Sequence, residues 1–482
     1  MSSKYIKRME IERKKIIPSA DEYLKKIENS GYGKTTKAIL KKWVKYCSYG
    51  EPPFGLFECP PVIDRGNNSK VIDADGKEYL DLLSGFSVHN LGHCNAEIHE
   101  TIVEQSKNLT QYFGTINSVS VNLSEKLCEI TPGRFDKKVL FGNSGSEAIE
   151  AIMKLVRWYT GKPFILTHYG DYHGKTAGAQ ALTPKGGWSY NYPVLPADSG
   201  IGFFPYAYCY RCSYNKTYPN CDIYCADYLD RLLTSQEAPY RDPGAGICRV
   251  AALVLEPLQS SAGYIIPPKE YLPKIREICD KYEILLALDE IQCGMGRTGK
   301  FWACQHYDVV PDIIAVGKAF GGGLPISAVI TRSEIIEEWG PGAFYGTFSS
   351  NPLSCATALK AVNIIERDNL PKLAEEKGRY FLEGLREISQ SHQIIGDLNG
   401  LGLFIGMELV KDKDKKIPAK DETAFLNMEF LRNGLICERA GYYFNRFNFI
   451  PPIIISKDEI DQSLEIIDKS LRTTEKKFGY KK

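Results

Sequence analysis

With 482 residues, of which 43% are hydrophobic and 25% charged, the chain is long enough to bury a large core and to divide into two or more domains, and disorder is excluded as its default state. Its 60 basic and 59 acidic residues leave a formal net charge of +1, so no long-range field draws it to nucleic acid or to an anionic membrane, and a small-molecule role is expected. The longest uncharged stretch, Trp339 to Leu359, is rich in Gly, Pro, Ser and Thr, which argues against a bilayer-spanning run of ~18 apolar residues.

In chain order, Met1 to Lys15 mixes basic residues with Glu10 and Glu12 and holds no apolar core of the kind a signal peptide needs, so a cytoplasmic location is expected. The lysine-rich N-terminal fifth reads as a helix or two packed on a larger body. Asp75-Gly76, between the short apolar runs of Lys70 to Leu82, is a hairpin signal. From Lys137 onward the pattern alternates. Lys137 to Phe141, Pro163 to Thr167, Val250 to Leu255, Ile284 to Leu288, Ile313 to Val316 and Ile326 to Ile330 read as strands, and Ser146 to Tyr159 and Tyr271 to Tyr282 as helices between them. That alternation predicts an α/β fold with a mostly parallel sheet flanked by helices. Beyond Leu359 the pattern turns amphipathic, with Gly400, Gly402 and Gly406 breaking one strand-like run and Pro451-Pro452 another, which predicts a smaller α+β domain. The expected division is 1–79 as an N-terminal segment belonging to the small domain, 80–355 as the large domain and 356–482 as the rest of the small domain. No internal repeat or low-complexity linker is visible.

In parallel sheets ligands collect beyond the carboxyl ends of the strands, and several polar residues stand there. Asn143-Ser-Gly145-Ser146, between a strand and a helix, directs free N–H groups and a helix dipole at one spot, an arrangement suited to phosphate. Tyr172, in Tyr169-Gly-Asp-Tyr-His-Gly174, could stack on a planar ring. Glu256 ends the third strand. Asp289 ends an almost purely apolar strand, where a carboxylate needs a charged or hydrogen-bonded partner. Lys318 lies just past the fifth, before Gly321-Gly-Gly323, and a lysine in an apolar pocket can lose its proton and attack an aldehyde. Thr347 offers a hydroxyl ahead of a helix start. Singly, each has a structural alternative, such as a helix cap, an ion pair or a surface lysine.

In this order and from about Val71 onward, these segments resemble the class III aminotransferases, the ornithine, acetylornithine and 4-aminobutyrate transaminase group of fold-type I pyridoxal-phosphate enzymes. The resemblance implies that the cofactor is pyridoxal phosphate, held as a Schiff base on Lys318, which then shuttles the substrate proton. It implies that Asp289 pairs with the pyridine nitrogen, Gln292 touches the phenolic oxygen, Gly145 and Ser146 hold the phosphate, and Tyr172 stacks on the ring. Thr347 would reach the phosphate of a neighbouring subunit, which makes a homodimer or higher homo-oligomer the expected state. The implied reaction moves an amino group from an amino acid or ω-amine to a 2-oxo acid; the alternative is racemisation or epimerisation, which members of the same family perform with the same residues. Glu256 matches an acid that in several members pairs with a substrate-binding arginine.

Three departures bear on the substrate. The family's arginine before Pro-Pro is Asn448 here, while Arg446, two residues earlier and on the same face of a strand, is the candidate to replace it. The arginine often found after His-Gly is Lys175. Phe86 and His89 occupy positions where the pocket varies. These changes set aside 2-oxoglutarate and ornithine as the assumed substrates. Cys209, Cys212, Cys221 and Cys225 have spacing that could close a zinc or iron–sulfur site, but reduced structural thiols or adventitious disulfides, and no metal, are the expectation. The other cysteines, among them Cys47, Cys94, Cys128, Cys279, Cys304 and Cys355, read as buried free thiols in apolar or helical contexts.

Overall fold

The computed structural model describes residues 18–49, 57–184, 200–242 and 244–480; Met1 to Lys15, read above for its lack of an apolar core, lies outside them. The N-terminal helix Ala20–Glu28 opens with a reciprocal cap between Ser19 and Glu22. The next helix, Lys34–Tyr46, starts at a glycine, and its orphan N–H groups at Thr35 and Thr36 donate to the Asp75 carboxylate at 3.1 and 3.3 Å. Asp75 therefore ties the N-terminal helices to the hairpin that the Asp-Gly pair announced. That hairpin belongs to a sheet of β1 (Ile63–Asn67), β2 (Lys70–Asp73) and β3 (Glu78–Asp81), with Gly76 at φ +90° in the turn.

The large sheet comprises β4 (Lys137–Gly142), β5 (Phe164–His168), β6 (Ile201–Phe204), β7 (Val250–Leu255), β8 (Leu285–Asp289), β9 (Ile313–Val316) and β10 (Ser327–Arg332), in the order β4-β10-β9-β8-β7-β5-β6. All six apolar runs read from the sequence are strands here, shifted by no more than two residues. β10 alone runs antiparallel to its neighbours, β4 and β9. Every residue of β7 is buried because both faces are covered: Ala251, Ala252 and Val254 pack under the helix Gly145–Thr160, while Val250, Leu253 and Leu255 face the larger core on the other side. β6 was not read from the sequence. It is a four-residue edge strand containing Gly202, and both features weaken the apolar signal.

β11 (Ile395–Leu401) and β12 (Phe404–Asp412) form a hairpin, so Gly402, at φ +56°, is its turn residue and not an interruption of one strand. A two-residue strand β13 (Ile417–Pro418) pairs with β12. β14 (Leu435–Ile436) crosses to pair in parallel with β3, so the C-terminal part completes the N-terminal sheet. β15 (Glu438–Ala440) and β16 (Arg446–Phe449) finish the antiparallel sheet, in the order β11-β12-β16-β15. Among the described residues no helix is long and apolar enough to cross a membrane.

Candidate active site

The parallel strands deliver their carboxyl ends to one edge of the large sheet, and Lys318 emerges there after β9. Its backbone is left-handed, φ +51°, a conformation a lysine holds only where the surroundings impose it. Burial of the amine drives its pKa below the ordinary lysine range, opposed by the charges of Asp289, Glu256 and Glu438. A lysine amine so enclosed is readily deprotonated and can act as a nucleophile.

Asp289, at the end of β8, is 5% exposed and accepts from His173 Nδ1 at 2.8 Å. The other ring nitrogen of His173 lies 3.1 Å from the Thr167 hydroxyl and 3.7 Å from Asp171, which in turn meets His168 at 3.2 Å. Burial would neutralise this imidazole, but hydrogen bonds to Asp171 and Asp289, and their charges, raise its pKa to about 10. Asp171 is held well below the carboxylate range by His168 and His173 despite its burial. Asp171 and His173 were missed from the sequence, where the Tyr169 to Gly174 motif was read for Tyr172 alone. The signal available was two ionisable residues in a turn directly after a strand.

The helix Gly145–Thr160 points its amino end at the same edge. The Ser144 side chain takes the Glu147 N–H, leaving those of Gly145 and Ser146 without partners in the helix. A Cβ on Gly145 would come within 2.8 Å of Ile291, and one on Gly317 within 3.4 Å of the same side chain, so Ile291 holds the helix start beside the lysine loop. Ser146 Oγ accepts the Lys175 N–H at 3.2 Å, and a side chain on Gly174 would strike that oxygen.

Glu256, at the end of β7, accepts from the Tyr172 N–H at 2.6 Å and the Ser260 N–H at 2.8 Å. Burial, with Asp171 and Asp289 nearby, raises its carboxyl to about 8. Tyr172 is raised by burial and by Glu256 and Glu438, and the Lys175 amine lies 5.6 Å from its ring centre. Burial lowers Lys175 to about 8. Gln292 donates to the Tyr264 hydroxyl at 3.1 Å.

Phe86 belongs to a tight left-handed turn, Ser84–Ser87, whose four φ angles lie between +45° and +66°. Ser84 Oγ donates to Ile450 O at 2.6 Å and Ser87 Oγ to Gln292 O at 3.2 Å, which anchors this strained turn to the end of β16 and to the loop after β8. His89 follows, its ring 4.2 Å from that of His93; burial and His93 lower its pKa to about 4, so it is neutral at physiological pH.

Two of the expected residues stand apart. Thr347 lies on an exposed segment, and its carbonyl accepts from Gln111. Arg446 is 1% exposed, and its guanidinium is already engaged: it donates to Glu408 at 2.7 Å, Asp397 at 3.1 Å, the Tyr208 hydroxyl at 2.8 Å and Gly263 O at 2.7 Å. It therefore does not replace the arginine absent at Asn448, since two carboxylates on neighbouring strands take up its charge. The cysteine-rich insertion docks on this cluster through Tyr208 and Arg211, both bonded to Glu408. Its four cysteines are free thiols lining one cavity of about 20 Å³, and among the described residues no three His, Cys, Asp or Glu side chains are grouped to hold a metal. Of the cysteines expected to be buried, Cys279, Cys304 and Cys355 are, whereas Cys128 is half-buried and Cys47 and Cys94 are exposed, because they stand at element ends and not within the core.

The donor set fits pyridoxal phosphate: a deprotonable lysine for the aldehyde, a helix start whose Gly145 and Ser146 N–H groups have no partner in the helix for the phosphate, and a buried carboxylate for a ring cation. The profile of the family described as "Aminotransferase class-III" matches residues 57–471. The leucine/methionine racemase of Thermococcus litoralis is 36% identical, covering 86% of this chain and 91% of that protein. The 4-aminobutyrate aminotransferase of Escherichia coli is 33% identical, covering 86% of this chain and 95% of its own length. A solved aminotransferase structure from Bacillus anthracis superposes with a TM-score of 0.81 at 32% identity, over 92% of this chain and all of that one. The chain belongs to the class III aminotransferases and is a pyridoxal-phosphate-dependent enzyme.

Proposed function

We propose that Lys318 is the cofactor-binding and proton-transferring amine of an aminotransferase that moves an amino group from an amino acid or ω-amine to a 2-oxo acid. The observation that carries this reading is the Lys318 amine, depressed in pKa by burial, beside the helix start that Ile291 holds against its loop. Pyridoxal phosphate, when bound, supplies an aldehyde that condenses with amines and a ring that accepts the electron pair left when the substrate C–H bond breaks. Asp289, anchored by His173, would hold a proton on the pyridine nitrogen; Gly145 and Ser146 would donate N–H groups to the phosphate; Tyr172 and Gln292 would fix the ring. Lys318 Nζ would take the proton from the substrate carbon and return it.

Thr347 sits within an exposed apolar face made of Tyr112, Phe113, Ile116, Tyr345 and Phe348, whose two segments are joined by the Gln111–Thr347, Asn117–Ser350 and Asn351–Gln111 hydrogen bonds. We assign that face to a homodimer in which Thr347 completes the partner's phosphate site. All fourteen cysteines are free, which supports a reducing, cytoplasmic setting.

Racemisation is the second reading, favoured by the 36% identity to a racemase and by the absence of the second-carboxylate arginine at Asn448. The two differ in where the proton on Lys318 returns. Holoenzyme given an amino donor without acceptor decides: a transaminase releases one equivalent of 2-oxo acid and loses the visible band of its cofactor. Accumulation of the opposite enantiomer with the band intact would overturn the first reading.

A further inference from the structure

We infer that Asp171 and Thr167 are positioning residues for the reaction: together they keep both nitrogens of His173 protonated, so that Asp289 meets the pyridine ring as an anion. The inference rests on the reading of Asp289 as the partner of that ring, and neither Asp171 nor Thr167 holds a place in the motifs that carry the resemblance.

Behind Asp289 a line of polar side chains runs through His173, Thr167, Asp171 and His168 to the Tyr271 hydroxyl. None of them is more than 5% exposed, so bulk water does not set their protons and each group answers to its neighbours.

The hydrogens along the line follow from the partners. Asp171 Oδ1 accepts from Gln259 Nε2 at 2.7 Å, and that amide is oriented by its other bond, to Tyr169 O at 2.8 Å. Asp171 Oδ2 accepts the Glu256 N–H at 3.2 Å and the Thr167 hydroxyl at 3.3 Å. With donors on both oxygens Asp171 acts as an acceptor, and the single hydroxyl hydrogen of Thr167 is committed to it. Thr167 Oγ1 therefore turns only lone pairs towards His173 Nε2, 3.1 Å away, and the imidazole supplies the hydrogen of that contact. On the far side of the ring, Nδ1 lies 2.8 Å from Asp289 Oδ2, with a proton between them. One choice remains, whether that proton rests on nitrogen or on oxygen. Asp171 decides it, because its carboxylate lies 3.7 Å from Nε2 and favours the cation on the ring.

The remaining charged groups do not oppose this. Glu256, raised to about 8 by burial and by Asp171 and Asp289, is largely protonated at neutral pH. His168 faces Asp171 from its outer side, and Lys318 faces Asp289. Against its burial, the bonds to Asp171 and Asp289 lift His173 to about 10. Were Asp171 only a buried knot between the ends of β5 and β7, its loss would weaken the fold and leave the proton on His173 where it was. As a positioning residue it has a further effect: an anionic Asp289 keeps the pyridine nitrogen protonated, and a cationic ring draws electrons from the linkage to Lys318, which then gives up its proton at lower pH.

The test reads two signals from holoenzyme. With ¹⁵N-labelled histidine, both His173 nitrogens should stay protonated from about pH 6 to 8.5, the signal being assigned by its loss in His173→Gln and told apart by His392→Gln from that of His392, which also lies between two carboxylates. The second signal is the pH at which the visible band of the bound cofactor titrates. Thr167→Val, which removes only the hydroxyl, should raise it by about one unit, a tenfold change in proton affinity, and Asp171→Asn should move it at least as far. Thr167→Ser, which restores the hydroxyl, should titrate with the parent. An unmoved titration in either folded variant, or a His173 that is neutral at pH 7 in the parent, overturns the inference. If Asp171→Asn does not fold, Thr167→Val and the histidine spectrum of the parent decide. A band whose titration is the same in Asp289→Asn as in the parent would instead sink the reading of Asp289 as the partner of the ring.

Discussion

Lys318 and Glu256 both depart from their ordinary proton affinities, and each departure has a measurable consequence. Lys318→Ala should leave nothing covalently attached after borohydride reduction of the holoprotein, read by mass spectrometry, and should lower turnover by about 10²–10⁴-fold, the range of a lost general acid–base. Retention of the adduct would mean that another amine holds the cofactor. Glu256 binds its proton more tightly in the folded chain, at about 8, than its ordinary value of 4.5, so folding takes up a proton. Its contribution to stability is complete below about pH 4.5 and is lost as the pH rises to about 8. The melting temperature should therefore fall more steeply from pH 5 to 8 in the parent than in Glu256→Gln; parallel curves would contradict this. Lys318, Asp289 and Glu256 were legible in the sequence because each ends a run of apolar residues. His173 was not, because its partner Asp289 lies 116 residues away and only the folded sheet brings them together. Arg446 shows the converse: period-two spacing correctly put it on the face of Asn448, but nothing local reveals Glu408 and Asp397 across the sheet.

At the scale of elements, strands of uninterrupted apolar sequence declare themselves and those broken by polar residues or glycine do not. β7 and β9 were read to the residue because every position is apolar, whereas β6, β15 and β16 carry Gly, Glu, Arg or Asn among their apolar positions. Close approach between elements is equally silent until the fold is known. The helix Leu370–Ser389 lies so near the β11–β12 turn that a Cβ on Gly378 would sit 2.0 Å from Gly402 O. Backbone cannot yield as a flexible side chain would, so Gly378→Ala should cost about 1–3 kcal/mol of stability. A shift in the urea midpoint with unchanged slope would register it; no shift would show that the helix slides freely on the turn.

For the whole molecule, the exposed apolar face around Thr347 is the surface on which the proposed dimer would form. Ile116 is 88% exposed. Ile116→Asp combined with Phe348→Asp should convert the particle from dimer to monomer in light scattering and remove activity with it, because Thr347 would no longer meet its partner's site. A fully active monomer would refute the shared site. The pairing of β3 with β14 acts over the length of the chain instead. Asp81 lies opposite Ile436, so the early sheet lacks its last strand until nearly all of the protein has left the ribosome. At about 5–20 residues per second that delay lasts on the order of tens of seconds. Throughout it the large sheet, whose seven strands lie between Lys137 and Arg332, can already be in place, and the nascent amino end stays exposed to chaperones and proteases.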